Sequence, residues 1–340
     1  MTSWLDFLAQ QGRQTHEPLD HYGDWRREVS AWFDGGVITD ESSHVCLLAK
    51  GADTASFLSR LSTFALNTLQ PGQGARPFIL DARGRIRVAF HYHCAQEQIT
   101  FLSCHRSAVD VLRSTLDMYH FGEDFELIDD PRRALGVGGP EALALLASCG
   151  IEVPKEAWAH TPAFLDGAPC HVFRVPRCSE PFFHLWVEPE HRTSIWTALM
   201  EKGAISSGRK ANELVRIRSG VPTSPGEFCD AYTPLDVGAM DGLTDGKGCY
   251  PGQEVIERTI AIGRPAIALV GFRSEEPCEV GCPLTIEEKT VGTVTSASED
   301  PDGGWVGLAA VKVRHRDAPQ WTINGAIAEA RPIEPNSTRP

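Results

Sequence analysis

At Gly263 the pattern of the chain changes, and that change limits the folds open to it. Beyond this point the sequence runs in short alternating stretches, AIALVGFRS, TVGTVTSASE, GWVGLAAVKV and WTINGAIAEA, separated by Gly, Pro and Asp. Period-two alternation with turns at this spacing predicts a small β-barrel or sandwich over 263–333. Before it, runs of strand length alternate with stretches of helical period. An apolar run at Val45–Leu48 leads through Gly51 to Asp53 in an N-cap position, then to Phe57, Leu58 and Leu61 at helical spacing. RPFILDARGRIRVAFHYHC and QITFLSCH read as strands with a hairpin turn at Ala82–Gly84, and AVDVLRSTLDMYHF reads as a helix. The 340-residue chain is therefore expected to be α+β, with a helical lead-in over 1–40, a body over 41–262, the β module, and a tail over 334–340.

A formal net charge of −13 repels a phosphate backbone, and there is no Lys/Arg run to offset it, so nucleic acid is not an expected partner. The start, MTSWLDFLAQQGRQ, has apolar residues at helical spacing rather than a basic leader followed by an apolar run. It reads as a docking helix, no stretch reaches membrane-spanning length, and a cytoplasmic setting is expected. Ten scattered cysteines without a CxxC pair fit free thiols in a reducing compartment. Cys278 and Cys282 have no second pair, and His91 and His93 share a strand face without an acidic partner in view, so no metal site is assigned. Arg83, Arg85 and Arg87 alternate and could share one strand face. Gly136, Gly138 and Gly139 lack the third glycine of a dinucleotide fingerprint and run into Pro140, which marks a strand end and helix entry.

The stretch TDGKGCYPGQEVIERT carries the chemistry. As a phosphate loop it fails twice: Asp241 stands where the first glycine belongs, and Gly248 where a metal-holding Ser or Thr belongs. As a thiol site it fits better. Pro251 suits a first helical turn, which puts Cys249 at a helix N-terminus beside Lys247, where dipole and ammonium both favour a thiolate. A tight turn with a convenient cysteine is the competing reading, and Glu254 in the first turn serves equally as a helix-dipole partner.

KGCYPGQE, from Lys247 to Glu254, resembles the signature of the YgfZ-type folate-binding proteins, relatives of the glycine-cleavage aminomethyltransferase (T-protein). GADTASFLSRLST, LQPGQGARPFILDARGRIRV, VRIRSGVP, TPLDVGAMDGLTDG and VGTVTS extend the likeness along most of the chain. The resemblance implies a three-domain, T-protein-like body of two interleaved subdomains plus the barrel, around a cavity for tetrahydrofolate. It also implies a role with iron-sulfur client or assembly proteins. Carried over by position, Lys247 and Cys249 form the functional pair, Gln253 and Glu254 shape the loop and helix start, Arg258 braces the site, and Asp236 faces the folate. T-proteins carry an acidic pair after their glycine turn, where this chain has Val88 and Ala89. That departure argues against aminomethyl transfer, which needs a carboxylate at the folate amine. A one-carbon transferase and a folate-responsive scaffold stand as the alternatives.

Overall fold

The structure, a computed structural model, describes residues 4–11, 19–96 and 98–333. Two sheets build the body. The first has six strands in the order His160–Leu165, Ala168–Arg174, Phe182–Val187, Arg133–Gly138, Val37–Asp40 and Ile205–Ser207. Its central strands are covered on both faces, which explains why Phe182–Val187 is an unbroken buried run and does not alternate. The strand Val37–Asp40 belongs to the stretch expected as a helical lead-in. That lead-in does hold two helices, Trp4–Gln11 and Trp25–Asp34, but Gly35 and Gly36 end the second. The β-branched pair Val37 and Ile38 then enters the sheet, antiparallel to Arg133–Gly138 and parallel to Ile205–Ser207. Gly136 is a packing glycine: a Cβ there would lie 2.1 Å from the Thr39 hydroxyl and 2.7 Å from the Phe182 ring.

The second sheet runs Gly74–Ala75, His91–Gln96, Ile99–His105, His44–Lys50 and Glu126–Asp129. Helices Thr54–Leu61 and Val109–Tyr119 cover one face, burying Phe57, Leu58, Leu112 and Leu116 against Leu47 and Leu102. Asp53 does precede its helix, yet its side chain makes no cap bond and instead accepts from the Asp124 N–H at 2.9 Å. The hairpin Phe78–Leu80/Ile86–Ala89 is closed by Asp81, whose carboxylate accepts from the N–H groups of Arg83 and Arg85. Arg83 and Arg85 therefore sit in the turn, only Arg87 lies in the strand, and the expected three-arginine face does not form.

The last element is a closed six-stranded barrel, in the order Ile267–Ser274, Trp305–Lys312, Lys289–Glu299, Pro283–Ile286, Gln320–Ile323 and Ala326–Arg331. Phe272, Trp321, Val294 and Leu284 fill it. Helix Arg209–Arg218 joins body to barrel through the buried Arg216, which binds Glu213, Glu227 at 3.2 Å and the Ser296 hydroxyl of a barrel strand at 2.7 Å. Glu227 completes the network by accepting from the same hydroxyl at 2.7 Å. Val306 and Leu308 of the barrel share an apolar core with Trp32 and Phe182 of the body. Among the described residues no helix is long and apolar enough to cross a membrane. The tail 334–340 lies outside the described residues.

Candidate functional site

The thiol loop is held at its start, not at its cysteine. Lys247 is half-buried and its ammonium donates to the carbonyls of Ser59 at 2.6 Å and Ser62 at 2.8 Å, at the end of helix Thr54–Leu61. Those carbonyls carry the negative end of the helix dipole, so a cation belongs there. The same ammonium lies 4.8 Å from the Tyr250 ring centre, and burial lowers its pKa to about 8, with Cys249 opposing as the smaller influence. Helix Gln253–Ile262 begins later than the sequence suggests. Gly252 is its N-cap at φ +79°, Pro251 lies in the turn before it, and Cys249 precedes the cap by three residues. The cysteine therefore stands before the helix start, and the Lys247 ammonium makes its hydrogen bonds to the two carbonyls. What the loop does provide is access, because Cys249 is the exposed one of the ten cysteines.

The other residues expected at this site separate. Gln253 reaches back towards the Lys247 carbonyl at 3.5 Å and donates to Glu257, tying loop to helix. Glu254 and Arg258 are exposed along helix Gln253–Ile262. Asp236 is buried and fully engaged: one oxygen accepts from the N–H and hydroxyl of Thr233 at 2.9 and 2.8 Å, the other from the Ile267 N–H at 3.2 Å. It pins a body turn to the first barrel strand.

A cavity of about 700 Å³ opens between the two sheets and the helix Arg209–Arg218, and none of those six residues lines it. One wall is aromatic and cationic. The Arg76 guanidinium lies 5.2 Å from Trp158 and 4.9 Å from Phe228, is bound to Asp241 at 2.5 Å, and has no partner for its buried Nε among the described residues. Ala89 lines the cavity, while Val88 points the other way into the core under the second sheet.

The adjoining wall is rich in histidine: His44, His91, His105 and His184 line it, His91 packs on Trp158 at 4.7 Å, and His93, His160 and His171 continue the cluster. Burial, and then repulsion between neighbouring imidazoles, lowers His184 to about 3, His105 to about 4 and His91 well below its ordinary value. These rings are therefore neutral at neutral pH. Among them stands Glu41. Burial alone would raise its pKa, but Arg177 at 2.6 Å and the hydrogen bond from His44 outweigh that and hold it well below the carboxylate range. His91 and His93 were visible in the sequence as a strand face, whereas Glu41, Arg76 and His184 were not. Only the three-residue spacing of Glu41 and His44 hinted at a local pair.

Comparison with known proteins places this geometry in a family. Residues 15–242 match the GCVT N-terminal domain, and the chain belongs to that family. A crystal structure of the glycine cleavage aminomethyltransferase T from Bartonella henselae superposes with a TM-score of 0.86 over 97% of this chain and 96% of that one, at 17% identity. The fold is T-protein-like, as the sequence resemblance implied. The chloroplastic protein At1g60990 of Arabidopsis thaliana, named as a transferase, is 26% identical, with 91% of this chain and 73% of that protein covered. The tRNA-modifying protein YgfZ of Sodalis glossinidius is 27% identical, with 78% and 79% covered.

Proposed function

We propose that this chain is a folate-binding, non-transferring member of the family that supports the assembly or repair of iron-sulfur proteins in the cytoplasm, presenting Cys249 to its client. One observation carries the reading. The cavity is built for a large, partly aromatic ligand, yet Val88 and Ala89 stand where a transferase sets its acidic pair. A volume of about 700 Å³ falls in the usual range for small-molecule sites. The Arg76 guanidinium, backed by Trp158 and Phe228, gives one wall a cationic group whose Nε has no partner among the described residues and is a donor for an acceptor on the ligand. Bound tetrahydrofolate supplies amine nitrogens that carry one-carbon units; the chain orients the ligand and lacks the carboxylate at Ala89 that would activate it. Lys247 and Gln253 keep the thiol loop extended, and Cys249 acts outside the cavity as a nucleophile or transient ligand.

The segment KGCYPGQE, with its resemblance to the YgfZ-type signature, supports this reading, and a YgfZ protein is among the relatives. The one-carbon transferase alternative draws on the names of other relatives. Two assays separate them. Titration with tetrahydrofolate is expected to give saturable heat, and the aminomethylated carrier protein is expected to yield no turnover. Complementation of a strain lacking its own YgfZ-type protein, scored by iron-sulfur enzyme activity, is expected to succeed with wild type and fail with Cys249→Ala. Turnover comparable to a T-protein, or full rescue by Cys249→Ala, overturns the proposal.

A further inference from the structure

We propose that Glu41, His44 and His184 form a binding site for a divalent first-row transition-metal ion of the zinc class, with one coordination position open to the cavity. The three residues come from separate places: Glu41 directly after strand Val37–Asp40 of the first sheet, His44 at the start of a strand in the second, and His184 in the middle of Phe182–Val187. Their donor atoms all lie within 4.8 Å of one another. Glu41 Oε2 is 3.5 Å from His44 Nδ1 and 3.8 Å from His184 Nε2. A tetrahedral ion with bonds of about 2.1 Å sets its ligand atoms about 3.4 Å apart, so the two carboxylate–imidazole pairs need little contraction and the two imidazoles close on the ion by a side-chain adjustment.

Two further features distinguish this set from an ordinary buried ion pair. His184 is 2% exposed, and neither of its ring nitrogens has a hydrogen-bond partner among the described residues. A buried imidazole with two idle nitrogens needs an explanation, and a metal bond to Nε2 accounts for the one that faces Glu41. The two oxygens of Glu41 are also used differently. Oε1 accepts from the Thr39 hydroxyl at 2.8 Å and from Arg177 at 2.6 Å, which fixes the carboxylate plane and leaves Oε2 directed at the two imidazoles. Outer partners of that kind orient metal-binding carboxylates, and Arg177 is here a positioning residue. Two histidines and one glutamate with an open fourth position is a donor set that zinc uses for chemistry and not only for structure.

The inference is independent of folate, and its test uses none. The full chain, stripped with a chelator, is titrated with Zn(II) by calorimetry and with Co(II) by absorption. One ion per chain is expected, with visible bands of tetrahedral nitrogen and oxygen coordination. His44→Ala, at a half-buried position that the fold tolerates, and Glu41→Gln, which keeps the side-chain shape, are each expected to weaken binding at least about 100-fold, beyond the range for outer partners. Circular dichroism checks that both variants fold. Absence of stoichiometric binding, unchanged affinity in the two variants, or a Co(II) spectrum dominated by thiolate charge transfer overturns the assignment.

Discussion

Lys247 shows how a residue can be correctly singled out and differently employed. Its charge is spent on the carbonyls of Ser59 and Ser62, so its first duty is to seat the loop against the helix Thr54–Leu61. Lys247→Met removes two charge-assisted hydrogen bonds at a half-buried position and is expected to cost about 1–2 kcal/mol in urea denaturation. Cys249 owes its distinction to exposure, since burial raises Cys104 to about 12 and Cys170 and Cys178 to about 11. Limited alkylation at pH 7.5 followed by peptide mass spectrometry is expected to find Cys249 modified first. Modification of another cysteine ahead of it would remove the case for a presented thiol. KGCYPGQE was legible in the sequence because its spacing is local. The partners of Lys247 lie some 185 residues away in the chain and were not legible.

Among the elements, the motif helix meets the hairpin turn at its N-cap glycine. Gly252 holds φ +79°, and a Cβ there would lie 2.5 Å from the Asp81 carbonyl and 2.9 Å from the Cα of Gly84. Helix cap and hairpin turn are therefore packed backbone to backbone. Gly252→Ala combines left-handed strain with that overlap and is expected to cost about 2 kcal/mol or more, read from the shift in the denaturation midpoint. Enhanced proteolysis within 245–255 is expected to accompany it, and an unchanged midpoint would show that the turn yields freely. The barrel strands were predictable from short β-rich runs set between Gly, Pro and Asp turns, although Trp305–Lys312 is an unbroken buried run. Val37–Asp40 was harder to read. Four residues carry no period, and burial on both sides comes from partners about 100 and 170 positions later. Pro283–Ile286, with its register shift after Leu284, was missed for a similar reason.

For the molecule as a whole, the histidine wall sets an acid limit. His93 is 1% exposed and donates to the Trp158 carbonyl at 3.0 Å; His160, 6% exposed, donates to the Cys94 carbonyl at 2.8 Å. Burial holds both below their ordinary pKa, with repulsion from His160 adding to the effect on His93. Because the folded values are the lower ones, the stability they allow is fully present above the unfolded value of about 6.5 and is lost as pH falls from there towards the folded values. Each group kept neutral removes up to about 1.4 kcal/mol per pH unit in that window. Urea midpoints are expected to change little near pH 7 and to fall between 6.5 and 5. His160→Gln is expected to flatten that slope, and a level profile down to pH 5 would contradict the neutral cluster.

The link between Arg216, Glu227 and Ser296 also bears on cooperativity. A change of sequence pattern at Gly263 suggests a module that can be detached, yet the fold puts a buried guanidinium on one side of that line and its hydroxyl partner on the other. Asp236 crosses the same line to reach the Ile267 N–H. Neither the barrel nor the body keeps its polar groups satisfied alone, so the boundary visible in the sequence is not a boundary of unfolding. Heating is expected to give one calorimetric transition for the entire chain, and a chain cut at residue 263 is expected to give none.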